Sequence, residues 1–181
     1  MRLFTGLDLP PEVLDRLADL LARLRSAAHI AWSPPANLHI TTKFIGEWPE
    51  ERLSELQAEL GKVTGAPIPV KLAGIGFYPN ARSPRVFWCG IDAPGLAELA
   101  ARTDAATASL GIESEKRAYS PHLTLARIRE KTDLASLHRR IERLGAVDCG
   151  SFEARSFYLY RSQIRPGGSV YTKLAEFPLT K

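Results

Sequence analysis

Two of the four histidines in this 181-residue chain are followed, two positions on, by a threonine: His39-Ile40-Thr41-Thr42 and His122-Leu123-Thr124-Leu125. In a β-strand successive side chains point to opposite faces, so His39 and Thr41 share one face while Ile40, Thr42 and Phe44 share the other. His122 and Thr124 are set against Leu123 and Leu125 in the same way. An imidazole titrates near pH ~6.5, so of two that flank a small space one can be neutral and the other protonated. Such a pair suits in-line displacement at phosphorus: one ring takes a proton from the attacking oxygen and the other gives one to the leaving oxygen. The threonine hydroxyls would donate to the non-bridging oxygens, where charge develops. This scheme calls for no metal and no cofactor. One His-x-Thr in a strand is commonplace; the weight comes from two.

The two segments sit at equivalent points of an internal duplication. Gly6-Leu7-Asp8-Leu9-Pro10 recurs as Gly90-Ile91-Asp92-Ala93-Pro94 at an offset of 84, and the His-x-Thr segments recur at an offset of 83. A period of this size present only twice implies paired half-units, not a solenoid. In the first unit, apolar residues 2–8 read as a strand. Pro10 and Pro11 open a helix that carries Leu14, Leu17, Leu20, Leu21 and Leu24 at helical spacing. A strand follows at about 37–46, then a helix from Pro49 to about Val63, then strands at 68–78 and 85–92 joined by a turn rich in proline and arginine. The second unit gives a helix over 94–110, a strand over 121–128, a helix over 132–144, and strands over 152–162 and 169–177. The expectation is an α+β protein with two pseudo-symmetric lobes. Each lobe would be a mainly antiparallel sheet with helices on its outer face, and a cleft would lie between them. Residues 1–181 are read as a single bilobal domain formed from a duplicated strand-helix-strand-helix-strand unit. Its two His/Thr pairs would face each other across the cleft.

Composition excludes other classes. Hydrophobic residues make up 45% and charged residues 24%, which rules out disorder and fibrous repeats. Cys89 and Cys149 match no metal or redox spacing and read as reduced thiols of a cytoplasmic protein. No apolar run approaches the roughly 18 residues of a membrane span. Twenty-four Lys and Arg against 20 Asp and Glu leave a net charge of +4, which favours anionic partners without naming one.

The flanks of both motifs carry a resemblance. Leu38-His39-Ile40-Thr41-Thr42-Lys43-Phe44-Ile45-Gly46-Glu47, Arg85-Val86-Phe87-Trp88, Ser120-Pro121-His122-Leu123-Thr124-Leu125-Ala126-Arg127 and the tail Leu159-Tyr160-Arg161-Ser162 with Gly167-Gly168 and Tyr171 are similar to the two-histidine (2H) phosphoesterases. Within them the chain resembles the RNA 2′,3′-cyclic phosphodiesterase branch, also called 2′–5′ RNA ligase. The resemblance spans essentially the whole chain. It implies hydrolysis of a 2′,3′-cyclic phosphate at an RNA end to a 2′-phosphomonoester. His39 would be the proton donor to the ribose O3′, His122 the proton acceptor from water, and Thr41 and Thr124 the phosphate ligands. The expected partners are RNA ends or small cyclic-phosphate nucleotides, with no membrane, no obligate protein partner and a monomeric state. Two alternatives stay open: 2′–5′ RNA ligation by the reverse chemistry, and a non-catalytic RNA-end-binding module. No P-loop or adenylated-lysine motif supports an ATP-dependent ligase.

Other residues carry weaker expectations. Strand alternation puts Lys43 on the face of His39, near the phosphate, and Arg127 on the face opposite His122 unless a bulge intervenes. His29 and His138 read as structural or exposed. Phe44, Phe77, Trp88 and Tyr160 read as core. Tyr78, ahead of the turn with Arg82 and Arg85, is a candidate base-stacking surface. Arg82 and Arg85 in that turn, with Arg161 and Arg165 near the last, are candidates for the RNA backbone.

Overall fold

A computed structural model describes residues 1–180. Its strands are β1 (Arg2–Leu7), β2 (Ala31–Trp32), β3 (Ile40–Glu47), β4 (Ile68–Tyr78), β5 (Val86–Asp92), β6 (His122–Arg127), β7 (Asp148–Ala154), β8 (Ser156–Arg165) and β9 (Gly168–Pro178). Its helices are α1 (Pro11–Leu24), α2 (Leu53–Leu60), α3 (Leu96–Ala108) and α4 (Ala135–Leu144).

The strands form two antiparallel sheets, of order β3-β1-β8-β9 and β2-β6-β5-β4-β7. The architecture is α+β with two lobes, but the lobes are not the sequence halves. β4 leaves the first half of the chain to pair in the second sheet, and β8 and β9 return from the second half to complete the first. The helices cross over too. α3 packs against β3 with α2 beside it, whereas α1 packs against β7 with α4 beside it.

α1 shows why the outer layers hold. Pro11 starts it where a missing N–H costs nothing, and Val13, Leu17, Leu20, Leu21 and Leu24 are buried on one stripe. Leu17 and Leu24 are fully buried, and each such side chain contributes about 1.5–3 kcal/mol on leaving water. Both cysteines are free and buried. Among the described residues no helix is long and apolar enough to cross a membrane.

One expected strand is really two. The run 152–162 breaks at Arg155, where the chain passes from the second sheet to the first. The inward positions change parity across the break, from Phe152 and Ala154 to Phe157 and Leu159. The short β2 was not expected. It caps the β6 edge through Ala31 and Trp32. The first sheet curls until its ends approach: Asn37, leading into β3, donates from Nδ2 to the Ser169 carbonyl on β9 at 2.6 Å.

Candidate active site

Both motif histidines are held by the same local device. The His39 ring lies 2.7 Å through Nδ1 from the Asn37 carbonyl, and the His122 ring 3.0 Å through Nδ1 from the Ser120 carbonyl. A carbonyl can only accept, so Nδ1 carries the hydrogen in each ring and Nε2 is left for chemistry. His39 immediately precedes β3 and His122 opens β6. The two segments are tied together at the junction of the sheets. The Tyr119 hydroxyl, just ahead of His122, donates to the Thr41 carbonyl at 2.8 Å, and the Ser33 hydroxyl donates to the Thr124 carbonyl at 3.0 Å. Thr41 and Thr124 are half-buried, on the faces that alternation assigns to His39 and His122.

Past the threonines, regular alternation fails in both strands at the same place. On β3, Thr41 pairs with Gly6 and Lys43 with Thr5, so Thr42 is an extra residue. On β6, Thr124 pairs with Trp88 and Ala126 with Phe87, so Leu125 is the extra one. Each His-x-Thr-x motif therefore ends on a β-bulge, and every later side chain changes face. Two expectations are overturned. Lys43 does not reach toward a phosphate: it is 6% exposed on the helix side, with Nζ 2.5 Å from Asp104 Oδ1 on α3 and 2.7 Å from the Glu113 carbonyl. Arg127 comes round to the face of His122 and Thr124, and its charge reaches His39.

Phe44 changes face as well. Expected in the core, it pairs with Phe4 and is 62% exposed. Beyond it a recess of about 490 Å³ opens between the end of β3 and the 112–117 loop, lined in part by Lys116 and Arg117. Phe44 and Arg127 are the site residues that alternation missed. They occupy the same position, five residues after their histidines. In the structure the bulge shows as two inward-facing residues in a row, Thr42-Lys43 and Leu125-Ala126.

The surroundings of the two imidazoles differ. His39 lies among aromatic rings, with centroids 4.7 Å from Phe4, 5.0 Å from Tyr171 and 6.1 Å from Tyr160. Gly6 lets β3 lie close beside β1 here: a Cβ there would fall 2.7 Å from the Ile40 carbonyl oxygen. Burial pushes the His39 pKa below its ordinary value, and Arg127 adds to the effect. The hydrogen bond to Asn37 and the field of Asp8 work the other way. Tyr160, stacked on Phe4 at 5.0 Å, is 5% exposed, and its hydroxyl is the one buried side-chain polar atom without a partner among the described residues. His122 pairs with Gly90 and stands exposed.

The remaining expectations sort by face. His29 is exposed, and His138 packs on Phe77 at 5.0 Å under α4, away from the cleft. Trp88 is not core: it pairs with Thr124 and lies on the cleft face, half-buried. Arg161 pairs with Leu3 on the helix-covered side of the first sheet, so it points away from the cleft. Tyr78, Arg82, Arg85 and Arg165 are exposed.

Comparison with known proteins identifies the family. The chain matches the LigT like Phosphoesterase family over residues 7–88 and 91–171. It is 36% identical over 178 residues to the RNA 2′,3′-cyclic phosphodiesterase of Methanocaldococcus jannaschii, covering 98% of this chain and 100% of that one. The TT0787 structure of Thermus thermophilus superposes with a TM-score of 0.84 at 32% identity, covering 99% of this chain and 98% of that one. E. coli LigT complexed with 3′-AMP superposes with a TM-score of 0.76 at 27% identity and the same coverage. The family match over both spans, with relatives this similar over nearly the whole chain, shows that the chain belongs to the LigT-like phosphoesterase family.

Proposed function

We propose that this protein opens 2′,3′-cyclic phosphates at RNA ends by hydrolysis, with His39 and His122 as acid and base. The family and the relatives named RNA 2′,3′-cyclic phosphodiesterase support the activity. The observation that carries the mechanism is the matched pair of imidazoles. Each is pinned through Nδ1 by the carbonyl two residues earlier, on strands tied to each other, with a threonine beside each.

The step balances as a single displacement. His122 Nε2 takes a proton from water while the water oxygen bonds to phosphorus. The P–O3′ bond breaks opposite, and O3′ takes the proton from His39 Nε2. The product is a 2′-phosphomonoester with a free 3′-hydroxyl. Thr41, Thr124 and Arg127 hold the non-bridging oxygens, the arginine supplying the fixed positive charge. The lowered proton affinity of His39 fits the donor's part. An imidazolium that burial disfavours releases its proton readily, and the bound phosphate anion supplies the charge that loads it. Phe44, exposed across from His39 on the same face, suits the base of the terminal nucleoside. His122, open to solvent, suits the side on which water arrives.

The test is an RNA oligonucleotide ending in a 2′,3′-cyclic phosphate, incubated with the protein in excess EDTA, with the product identified. A 2′-phosphate formed despite the chelator, and lost in both His39→Ala and His122→Ala, is the expected result. A 3′-phosphate would reverse the assignment of the leaving oxygen. Tight binding without turnover would make the protein an RNA-end-binding module.

A further inference from the structure

On the second sheet, the face that carries Thr124 continues outward over β5 and β4. Thr124 pairs with Trp88 and Trp88 with Gly76, while Arg127 pairs with Val86 and Val86 with Tyr78. Phe87 and Cys89 alternate with these and are fully buried on the helix side. The Trp88 indole lies flat on the sheet. A Cβ on Gly76 would fall 2.3–2.9 Å from three atoms of its six-membered ring, and a Cβ on Gly90 would fall 3.6 Å from its Cζ3. Gly76 therefore leaves a shelf for the ring, with one face against backbone and the other toward the cleft, while Gly90 lets the Ala73 carbonyl of β4 come close, where a Cβ would fall 2.4 Å from its oxygen. Tyr78, one row farther out, is 58% exposed. Two residues along a strand and one strand across separate it from Trp88, about 8 Å at ordinary sheet spacings.

Charge lies along the rim of the same strip. Arg127 shares the row of Tyr78, and Arg82 stands exposed in the following turn, whose backbone is set by Asn80 Oδ1 accepting from the Arg82 and Ser83 N–H groups at 3.0 Å each. The displacement at phosphorus uses neither the indole nor the phenol. Flat aromatic faces in line with arginines are what single-stranded RNA needs: bases stack on the rings and phosphates lie by the cations. We propose, resting on the function above, that Trp88 and Tyr78, with Arg82 and Arg127 at the rim, bind the nucleotide on the 5′ side of the terminal one. The strip is continuous with the site at Thr124. It makes the preferred substrate an RNA chain of at least two nucleotides, in place of a cyclic mononucleotide.

The experiment compares kcat/KM on a 2′,3′-cyclic mononucleotide with kcat/KM on a dinucleotide ending in the same cyclic phosphate. The intact protein is expected to favour the dinucleotide, and Tyr78→Ala to lose about tenfold on the dinucleotide, the order a stacked base contributes, with the mononucleotide unchanged. A second arm needs no turnover. In the His122→Ala background, 2-aminopurine at the position before the terminal nucleotide is expected to be quenched on binding, and Trp88→Leu to abolish the quench. Equal loss on both substrates, no loss on either, or an unquenched probe that still binds would overturn the proposal. If neither substrate turns over but the probe is quenched, the hydrolytic function fails while the strip stands.

Discussion

β3 and β6 present the same motif on the same bulge and then put it in different company. His39 sits in a nest of Phe4, Tyr160 and Tyr171, and His122 stands exposed over a glycine. After the bulge, the inward residue is an ion-paired Lys43 in one strand and Ala126 in the other. The outward residue is Phe44 in one and Arg127 in the other. The backbone is thus what the two copies share: it sets imidazole, hydroxyl and one further side chain in place. Dielectric and charge are what separate them, and the proposed division into acid and base rests on that difference.

The severest way to break the comparison is to remove either ring. His39→Ala and His122→Ala are each expected to lower kcat/KM by about 10²–10⁴, the range of general acid–base catalysis. Steady-state assays of the double variant should show far less than the product of the two losses, because groups that act in one step are not additive. Full additivity would mean that the two rings do not serve one displacement. One level down are the outward residues. Arg127→Ala is expected to lower kcat by about tenfold to a hundredfold, since its charge matters most as the phosphorane forms. Phe44→Ala should raise KM for the nucleotide and spare kcat. Reversed signatures would exchange their assignments.

The inward residues separate stability from catalysis. Asp104→Ala leaves the buried Lys43 ammonium with the Glu113 carbonyl but no counter-charge and is expected to cost about 1.5–3 kcal/mol. Lys43→Met restores much of that in the double variant, as a denaturation cycle would show. The Asp104 carboxyl itself is held below its usual pKa. Desolvation alone would raise it, but the hydrogen bonds from Lys43 and from the Glu115 backbone N–H outweigh that. The pair therefore stabilises the fold at neutral pH, and that contribution is lost as acid titrates the carboxyl below its ordinary range. Turnover per folded molecule should not change, because Lys43 lies on the helix side. A loss of turnover in Lys43→Met would return the lysine to the site.

Much of this is legible in the sequence. The apolar stripe of α1, the paired His-x-Thr segments and their junction between two sheets follow from spacing and repetition. What alternation could not deliver is the face of anything after Thr41 or Thr124. Thr42 and Leu125 are ordinary strand residues, and nothing in their chemistry marks them as unpaired in the ladder. The misplacing of Lys43, Phe44 and Arg127 has that single cause. The break at Arg155 escaped for a related reason: alternation resumes after only one extra polar residue, in the pair Arg155-Ser156, and the resulting change of parity between Ala154 and Phe157 is the one trace of the change of sheet. Residue type alone assigns Trp88 to the core, and Gly76, which makes room for it on the open face, lies on a different strand.

The smallest expected effect sharpens the comparison most, because it reads the environment of His39 without removing the ring. Tyr171→Leu takes away the edge contact at 5.0 Å and lets water nearer. Desolvation is the largest cause of the lowered pKa, so the variant's His39 should titrate closer to its ordinary value. For a proton donor, the kcat/KM profile falls on the alkaline side as the free enzyme loses that proton, so in Tyr171→Leu the alkaline limb should move to higher pH. In the intact protein the same limb should lie higher for kcat than for kcat/KM, since bound phosphate favours the imidazolium. Stability carries the matching sign. Below pH ~6.5 the unfolded chain takes a proton that folded His39 resists, so stability falls as the pH drops from there toward the lowered folded value. His39→Gln should remove that slope and Tyr171→Leu should flatten it. If His39 were the base instead, its titration would govern the acid limb, and in Tyr171→Leu it is that limb that would move to higher pH while the alkaline limb stayed in place.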